Sequence, residues 1–230
     1  MRFGGVSIMG SYHEKNQDMF LAETLDSGTL IVVSDGVGSC DFSEIGSRCA
    51  CLAVRNTVNH FGGVPLSDEE MGSFYEHTHN EWIRLTKELL PNGAEINDCC
   101  ATLLFCFCSQ DKVTASRLGD GLVGVKTESG TVVLIDDKTQ HMMNETDSLS
   151  DSFFPEEWEF KRFNDSFLGA ICCSDGASPF VYEEDECCDY TSELVDAYSQ
   201  NTTEEIEHDM HDWLPEMGGC DDRTIAFIFP

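Results

Sequence analysis

The sequence predicts an α+β layered fold, and two observations carry that prediction. Several segments are apolar without polar alternation, as expected of strands covered on both faces. The helical segments fall in groups between runs of strands instead of alternating with them one for one. The covered segments are TLIVVS (29–34), CCATLLFCFC (99–108), FLGAICCS (167–174) and RTIAFIF (223–229).

In chain order, Asp18 opens the apolar run DMFLAETL, which precedes TLIVVS. A first helix is expected over 43–60, with small and apolar residues at Ile45, Cys49, Leu52 and Ala53. A second begins at Ser67, where Glu70 completes a capping box. Its stripe of Met71, Phe74, Thr78, Trp82, Leu85 and Leu89 is core packing, and it stops near Pro91-Asn92-Gly93. Between Lys112 and Ile135, KVTASRL, GLVGVKT and TVVLI are separated by glycine-containing breaks, which suggests antiparallel strands joined by tight turns. Acidic helices are expected over 189–199 and 203–214. With no linker and no internal repeat, residues 1–230 are expected to form one domain.

The chain of 230 residues is 41% hydrophobic and 10% aromatic, a composition that folds. Its 43 acidic residues against 13 basic give a net charge of −30, and no Lys or Arg occurs from Phe163 through Asp222. Such a field repels nucleic-acid phosphates and favours divalent cations and basic partners. Most of Glu183–Glu186 and Glu204–Asp212 is expected to be solvated surface. No stretch approaches ~20 uninterrupted apolar residues, and the N-terminus lacks a secretory h-region. A cytoplasmic protein with no membrane span is therefore expected. Twelve cysteines include three Cys-Cys and two Cys-x-Cys pairs but no Cys-x-x-Cys. Adjacent residues on a strand point to opposite faces, so reduced, mostly buried thiols are expected.

The informative pattern is the placement of aspartates at strand ends. Asp35 ends LIVVSDG, Asp120 stands in SRLGDG, Asp175 ends AICCSDG, Asp221 precedes RTIAFIF and Asp18 begins DMFLAETL. An ionised carboxylate there must be hydrated, hydrogen-bonded or paired with a cation. A lone Asp-Gly is usually a turn; the recurrence at strand ends is what points to a site. Acids converging without Lys or Arg beside them repel one another, and hard cations with oxygen ligands relieve that repulsion. Two such ions could clamp a phosphoryl group and activate a water toward phosphorus.

Other constellations carry less. His208 and His211 share a face of an acidic helix but lack the His-Glu-x-x-His order. His77 and His79, two apart, do not face the same way and are expected at the surface. No base is evident for the cysteines of SRCACLAV, and there is no glycine-rich loop with a lysine. Ser47 and Arg48 begin a helix whose N-terminus could help hold a phosphate, although Arg48 fits a structural or surface role better.

Taken in order, HEKNQD, VVSDGVGS, ATLLFCFC, SRLGDG, ICCSDG and DDRTIAFIF resemble the metal-dependent protein phosphatases of type 2C, the PPM family. The resemblance runs from Gly10 to Phe229, and NETDSLSD (144–151) is similar to a compact bacterial-style branch. It implies a four-layer α-β-β-α sandwich, two antiparallel β-sheets flanked by helices. It also implies hydrolysis of phosphoserine and phosphothreonine in proteins with two Mn²⁺ or Mg²⁺ ions and a weaker third. Phosphorylated proteins would be the substrates and a Ser/Thr kinase the opposing partner.

By the same resemblance, Asp35 would bridge both ions and the Gly36 carbonyl would bind one. Asp175 and Asp221 would complete the first ion's shell, Asp221 being the member of Asp221-Asp222 that the pattern selects. Asp18 would hold a water on the metal, and Asp120 with Asp175 would serve the third ion. Asp18, Asp35 and His13 form the expected catalytic set. The chain departs from the pattern at four places, one being that GDG (119–121) lacks the Ser-Arg that often follows Gly-Asp. Gln17 replaces a common Glu, His13 stands where a phosphate-binding Arg is usual, and Val37 where some members carry a His. His13 could bind phosphate when protonated, with Lys15 as an alternative anchor. These departures keep open a non-catalytic binding module that retains the fold, and a small-molecule phosphatase is a third reading. Residues 136–166, with Phe153-Phe154-Pro155, are the expected selector of substrate.

Overall fold

The computed structural model describes residues 1–109, 112–135, 146–179 and 183–230. Its elements in chain order are β1 (Arg2–Ile8), β2 (Met19–Leu25), β3 (Gly28–Ser34), α1 (Ser43–Phe61), α2 (Asp68–Leu89), β4 (Leu103–Ser109) and β5 (Lys112–Leu118). There follow β6 (Leu122–Thr127), β7 (Gly130–Ile135), β8 (Glu159–Phe163), β9 (Phe167–Cys173), α3 (Glu184–Ala197), α4 (Thr203–Trp213) and β10 (Arg223–Phe229). Among the described residues the strands form two five-stranded antiparallel sheets, ordered β1-β10-β9-β6-β7 and β2-β3-β4-β5-β8. Helices α1 and α2 cover the second sheet, and α3 and α4 cover the first. This is the four-layer α-β-β-α sandwich expected from the sequence.

The lack of alternation in the covered strands has a direct cause. In β3, Leu30 and Val32 pack under the helices while Ile31 and Val33 pack between the sheets. β4 divides the same way, with Leu103, Phe105 and Phe107 outward and Leu104 and Cys106 inward. In β10, Ile225, Phe227 and Phe229 meet the helices, and Ala226 and Ile228 meet the other sheet. Both faces of each strand leave water, and each large apolar side chain so buried contributes roughly 1.5–3 kcal/mol. Cys172 and Cys173 likewise face opposite layers. All twelve cysteines are free thiols.

Several boundaries differ from the sequence expectation. β4 starts at Leu103, because Ile96–Cys99 form a 3-10 turn. Helix α3 starts at Glu184, five residues earlier than expected, its first turn carrying Glu184, Asp185 and Glu186 where negative charge suits the helix dipole. At the start of α2 the Ser67 hydroxyl accepts from the Glu70 N–H and itself donates to the Glu70 carboxylate, at 2.7 Å. That side-chain bond takes the place of the reciprocal backbone bond of a capping box. Strands β1 and β8 escaped the pattern. β1 contains Gly4 and Gly5, which read as breakers; a Cβ on Gly5 would stand 2.7 Å from the Phe20 ring, so the missing side chain is what lets β2 approach. β8 is the charged edge strand EFKRF, whose Lys161 and Arg162 suit an unpaired edge. Among the described residues no helix is long and apolar enough to cross a membrane.

Helices α1 and α2 are locked to the start of β4 at one point. The Trp82 indole N–H donates to the Gly46 carbonyl at 3.0 Å, and a Cβ on Gly46 would overlap the Cys99 carbonyl. Gly46→Ala is therefore expected to lower unfolding stability by at least ~2 kcal/mol, measured by urea denaturation. An unchanged midpoint would contradict this packing.

Candidate metal centre

Strand register brings the aspartates to one end of the sandwich. β2 pairs with β3 through Met19↔Ser34, which makes Asp18 and Asp35 neighbours just beyond the ladder. β9 pairs with β10 through Ile225↔Cys173 and with β6 through Leu122↔Cys173. Asp175, Asp221 and Asp120 thereby leave their strands at the same edge. A cavity of about 410 Å³ opens there, walled by Asp35, Gly36, Asp120, Asp175, Asp221 and His13.

Each acid is held by its surroundings. The Asp35 N–H donates to the Thr102 hydroxyl at 2.9 Å, and its carbonyl accepts from the Thr102 N–H at 2.8 Å. Gly36 is buried, and a Cβ there would stand 2.7 Å from Ser43 Cβ and 2.9 Å from the Gln17 carbonyl oxygen. Asp120 sits between Gly119 and Gly121, whose φ values of +88° and +106° require glycine. Thr146 donates to Asp120 Oδ2 at 3.1 Å. Asp175 opens a 3-10 turn at the end of β9, where Gly176 lies so close to the Asp222 carbonyl that a Cβ would overlap it. Asp18 lies beneath, 7% exposed, and its Oδ2 accepts from the Ser174 hydroxyl at 2.7 Å.

Asp221 and Asp222 have different surroundings. Asp221 is 52% exposed and on the cavity wall, whereas Asp222 is 2% exposed. Asp222 accepts from the Gly10 and Gln17 N–H groups, both at 2.7 Å, and from His13 Nδ1 at 3.2 Å. A carboxylate only accepts, so His13 carries its proton on Nδ1 in this pair. Both His13 Nε2 and Gln17 Oε1 stand 3.8 Å from where a Cβ on Gly38 would be. The sequence reading missed Asp222 as an anchor. The signal was its parity: it shares the inward phase of Ala226 and Ile228.

The remaining sequence candidates lie elsewhere. Lys15 is exposed, bonded to Glu44 at 2.6 Å, and does not line the cavity. Ser47 is buried and donates to the Gln17 carbonyl at 2.6 Å, while Arg48 is exposed. His208 is at the surface, but His79, expected there too, is 7% exposed and bonds the Ser150 carbonyl at 2.9 Å. Residues 144 and 145 of the NETDSLSD segment, and 136–145 of the expected substrate selector, lie outside the described residues.

The electrostatics of the cluster suit a cation. Burial raises Asp18 to about 6 even though hydrogen bonds from Asp35, Ser174 and Thr224 oppose the shift. Asp35 is pushed well above the ordinary carboxylate range, first by burial and then by the charges of Asp18, Asp175 and Asp120. Asp18 and Asp35 are in hydrogen-bond contact, so they share either a proton or a counterion. Among the described residues Asp18 Oδ1 is buried with no donor, as is Gln17 Oε1. Among those residues no three acids close on one point as a ready-made cage. Mg²⁺ asks for less, since it keeps several waters and takes one or two carboxylates. The donor set fits hard divalent ions.

Comparison with known proteins agrees with the fold. Residues 11–215 match the family model described as protein phosphatase 2C. The fold is similar to that of the serine/threonine phosphatase Stp1 from Staphylococcus aureus, with a TM-score of 0.70 and 14% identity over 100% of this chain and 95% of that one. It is also similar to the Mycobacterium tuberculosis serine/threonine phosphatase PstP/Ppp, with a TM-score of 0.66 and 16% identity over 99% and 98% of the two chains. A third match is the catalytic domain of the serine/threonine protein phosphatase PstP in complex with two manganese ions, with a TM-score of 0.65 and 16% identity over 98% and 96%. No curated protein matches.

The raised Asp18 gives a pH dependence of definite sign. Between the unfolded value near 4 and the folded value of about 6, the native metal-free chain binds more protons than the unfolded chain. Its stability therefore falls as pH rises through that window and stays reduced above it. Asp18→Asn is expected to raise metal-free stability at pH 7 by on the order of 1–3 kcal/mol and to flatten the change between pH 4 and 6. Urea denaturation across that range in EDTA measures both; a less stable variant at pH 7 would contradict the assignment.

Proposed function

The chain belongs to the protein phosphatase 2C family, and from that premise we propose that it hydrolyses phosphoserine and phosphothreonine in proteins with two divalent cations. The observation that supports this most is the convergence of Asp18, Asp35, Asp120, Asp175 and Asp221 at one end of the sandwich. Among the described wall residues no Lys or Arg offsets them.

Two bound cations, Mn²⁺ or Mg²⁺, supply the charge that makes this cluster tolerable and the activation of water toward phosphorus. Asp35 would hold both ions and the Gly36 carbonyl one of them. Asp175 and Asp221 would hold one ion, Asp18 would orient a water from below, and Asp120 with Asp175 would hold a weaker third. His13, held through Nδ1 by Asp222, would donate from Nε2–H to the phosphoryl oxygens when both ring nitrogens carry protons, the role that Lys15, engaged with Glu44, does not take. An adjoining cavity of about 390 Å³, lined by Met217, Pro179 and Cys220, shares Tyr12, Asp175 and Asp221 with the first. It leaves room for polypeptide flanking the phosphoresidue, which favours a protein substrate over a small phosphate ester. The 230 residues act as one phosphatase domain in the cytoplasm, opposing a Ser/Thr kinase in signalling.

The rival is a binding module that keeps the fold without turnover, favoured by the absence of Lys and Arg among the described wall residues. Hydrolysis of an aryl phosphate and of phosphopeptides, with Mn²⁺ or with EDTA, separates the two. The phosphatase reading expects metal-dependent release of phosphate, with Asp35→Asn and Asp175→Asn each lowering the rate about 100-fold or more. A flat response of the parent chain to metal, with phosphopeptide still bound, would establish the binding module instead.

A further inference from the structure

Ten of the twelve cysteines are either fully buried, adjacent in a helix or alone at the surface. Cys40 and Cys100 are neither buried nor alone. Both are partly exposed, and both thiols donate to the same acceptor, the Asn97 carbonyl, at 3.2 Å and 3.3 Å. They also touch one another, side chain to side chain. Backbone bonds on either side hold the pair in register: the Val37 N–H donates to the Cys100 carbonyl at 2.9 Å and the Phe42 N–H to the Asp98 carbonyl at 2.8 Å. Cys40 thus lies on the loop that leaves Asp35, and Cys100 on the segment that enters β4.

We propose that Cys40 and Cys100 are a modification site, a dithiol that hydrogen peroxide converts to an intramolecular disulfide. One thiolate attacks a peroxide oxygen, which breaks the O–O bond and leaves a sulfenic acid and water. The second sulfur then attacks the sulfenic sulfur, forms the S–S bond and expels the hydroxyl, which departs as water with the second thiol's proton. Two thiols are oxidised by two electrons and one peroxide is reduced to two waters. Burial, with the Cys40 thiol beside it, holds Cys100 up to about 11. Cys100 therefore stays protonated near neutral pH and serves as the resolving thiol, while Cys40 supplies the sulfur that attacks peroxide first.

No other pair offers the same combination. Cys49 and Cys99, and Cys106 and Cys172, are near one another but sealed in the core. Cys187 and Cys188 are consecutive in α3, and Cys220 is exposed by itself. The consequence of the bond is local. Val37, Gly38 and Ser39 line the carboxylate cavity, so a cross-link at Cys40 ties the cavity's loop to the edge of the second sheet. This inference stands on thiol geometry and is independent of whether the chain hydrolyses phosphate.

The test treats the reduced, purified full chain with hydrogen peroxide, alkylates it and digests it without reductant for mass spectrometry. The expected product is one linked peptide pair containing Cys40 and Cys100, two hydrogens lighter than its parts and released by dithiothreitol. It should be absent from Cys40→Ser and from Cys100→Ser. The oxidised parent is expected to melt at least about 3 °C higher than the reduced chain, with slower amide exchange over residues 37–42. Full alkylation of both cysteines after peroxide, their conversion to sulfinic or sulfonic acid, or a linkage between other cysteines would each overturn the proposal. If a serine variant fails to fold, the linked mass in the parent alone decides.

Discussion

Carboxylates that would repel one another are forced together by the pairing of strands that are otherwise almost wholly apolar. The ladders β2–β3, β9–β10 and β6–β9 fix where Asp18, Asp35, Asp120, Asp175 and Asp221 emerge, and two apolar faces per strand fix the ladders. The cluster is therefore an imposed cost, carried by the core on both sides of the sandwich. The glycines around it serve the same end. Gly36, Gly119, Gly121 and Gly176 are positions where a side chain would collide or the backbone would be strained, and each allows an acid to reach the common cavity. Repulsion at the site and burial in the core are two sides of one arrangement, and on the proposed function a divalent ion would balance them.

Much of the layer order was legible because period and burial agree. Segments without alternation, such as TLIVVS and RTIAFIF, became the strands with two covered faces, and the Met71–Trp82 stripe became the helix face over β4. What escaped did so for tertiary reasons. Gly4 and Gly5 look like breakers until Phe20 is seen packed where a Cβ would stand. EFKRF has no apolar pattern because it is an edge strand whose Lys161 and Arg162 reach neighbouring groups, the Val133 carbonyl and Asp68. Cys99 and Cys100 look like the start of a strand, yet Gly46 approaches so closely that the chain turns there before β4 begins.

The site was legible in outline and not in detail. Five aspartates at strand ends could be named from the sequence, since each follows or precedes an apolar segment. The division of labour between Asp221 and Asp222 depends on three N–H donors from residues 10–17, a contact across most of the chain's length. Lys15 looked available because its partner, Glu44, is distant in sequence. His13 stands where the family pattern has an arginine, and its Nδ1–Asp222 bond keeps the ring in one orientation. The Cys40–Cys100 pair was likewise invisible, because its proximity comes from the Asp35 loop folding back along residues 98–100.

The central claim is that the aspartate cavity exists to hold divalent cations. Crystals soaked in Mn²⁺ and measured for anomalous scattering address it most directly. The account predicts two strong peaks about 3.5–4 Å apart within reach of Asp35, one of them shared with Asp175 and Asp221. No peak in that cavity at millimolar Mn²⁺, or peaks confined to the acidic surfaces of α3 and α4, would contradict it.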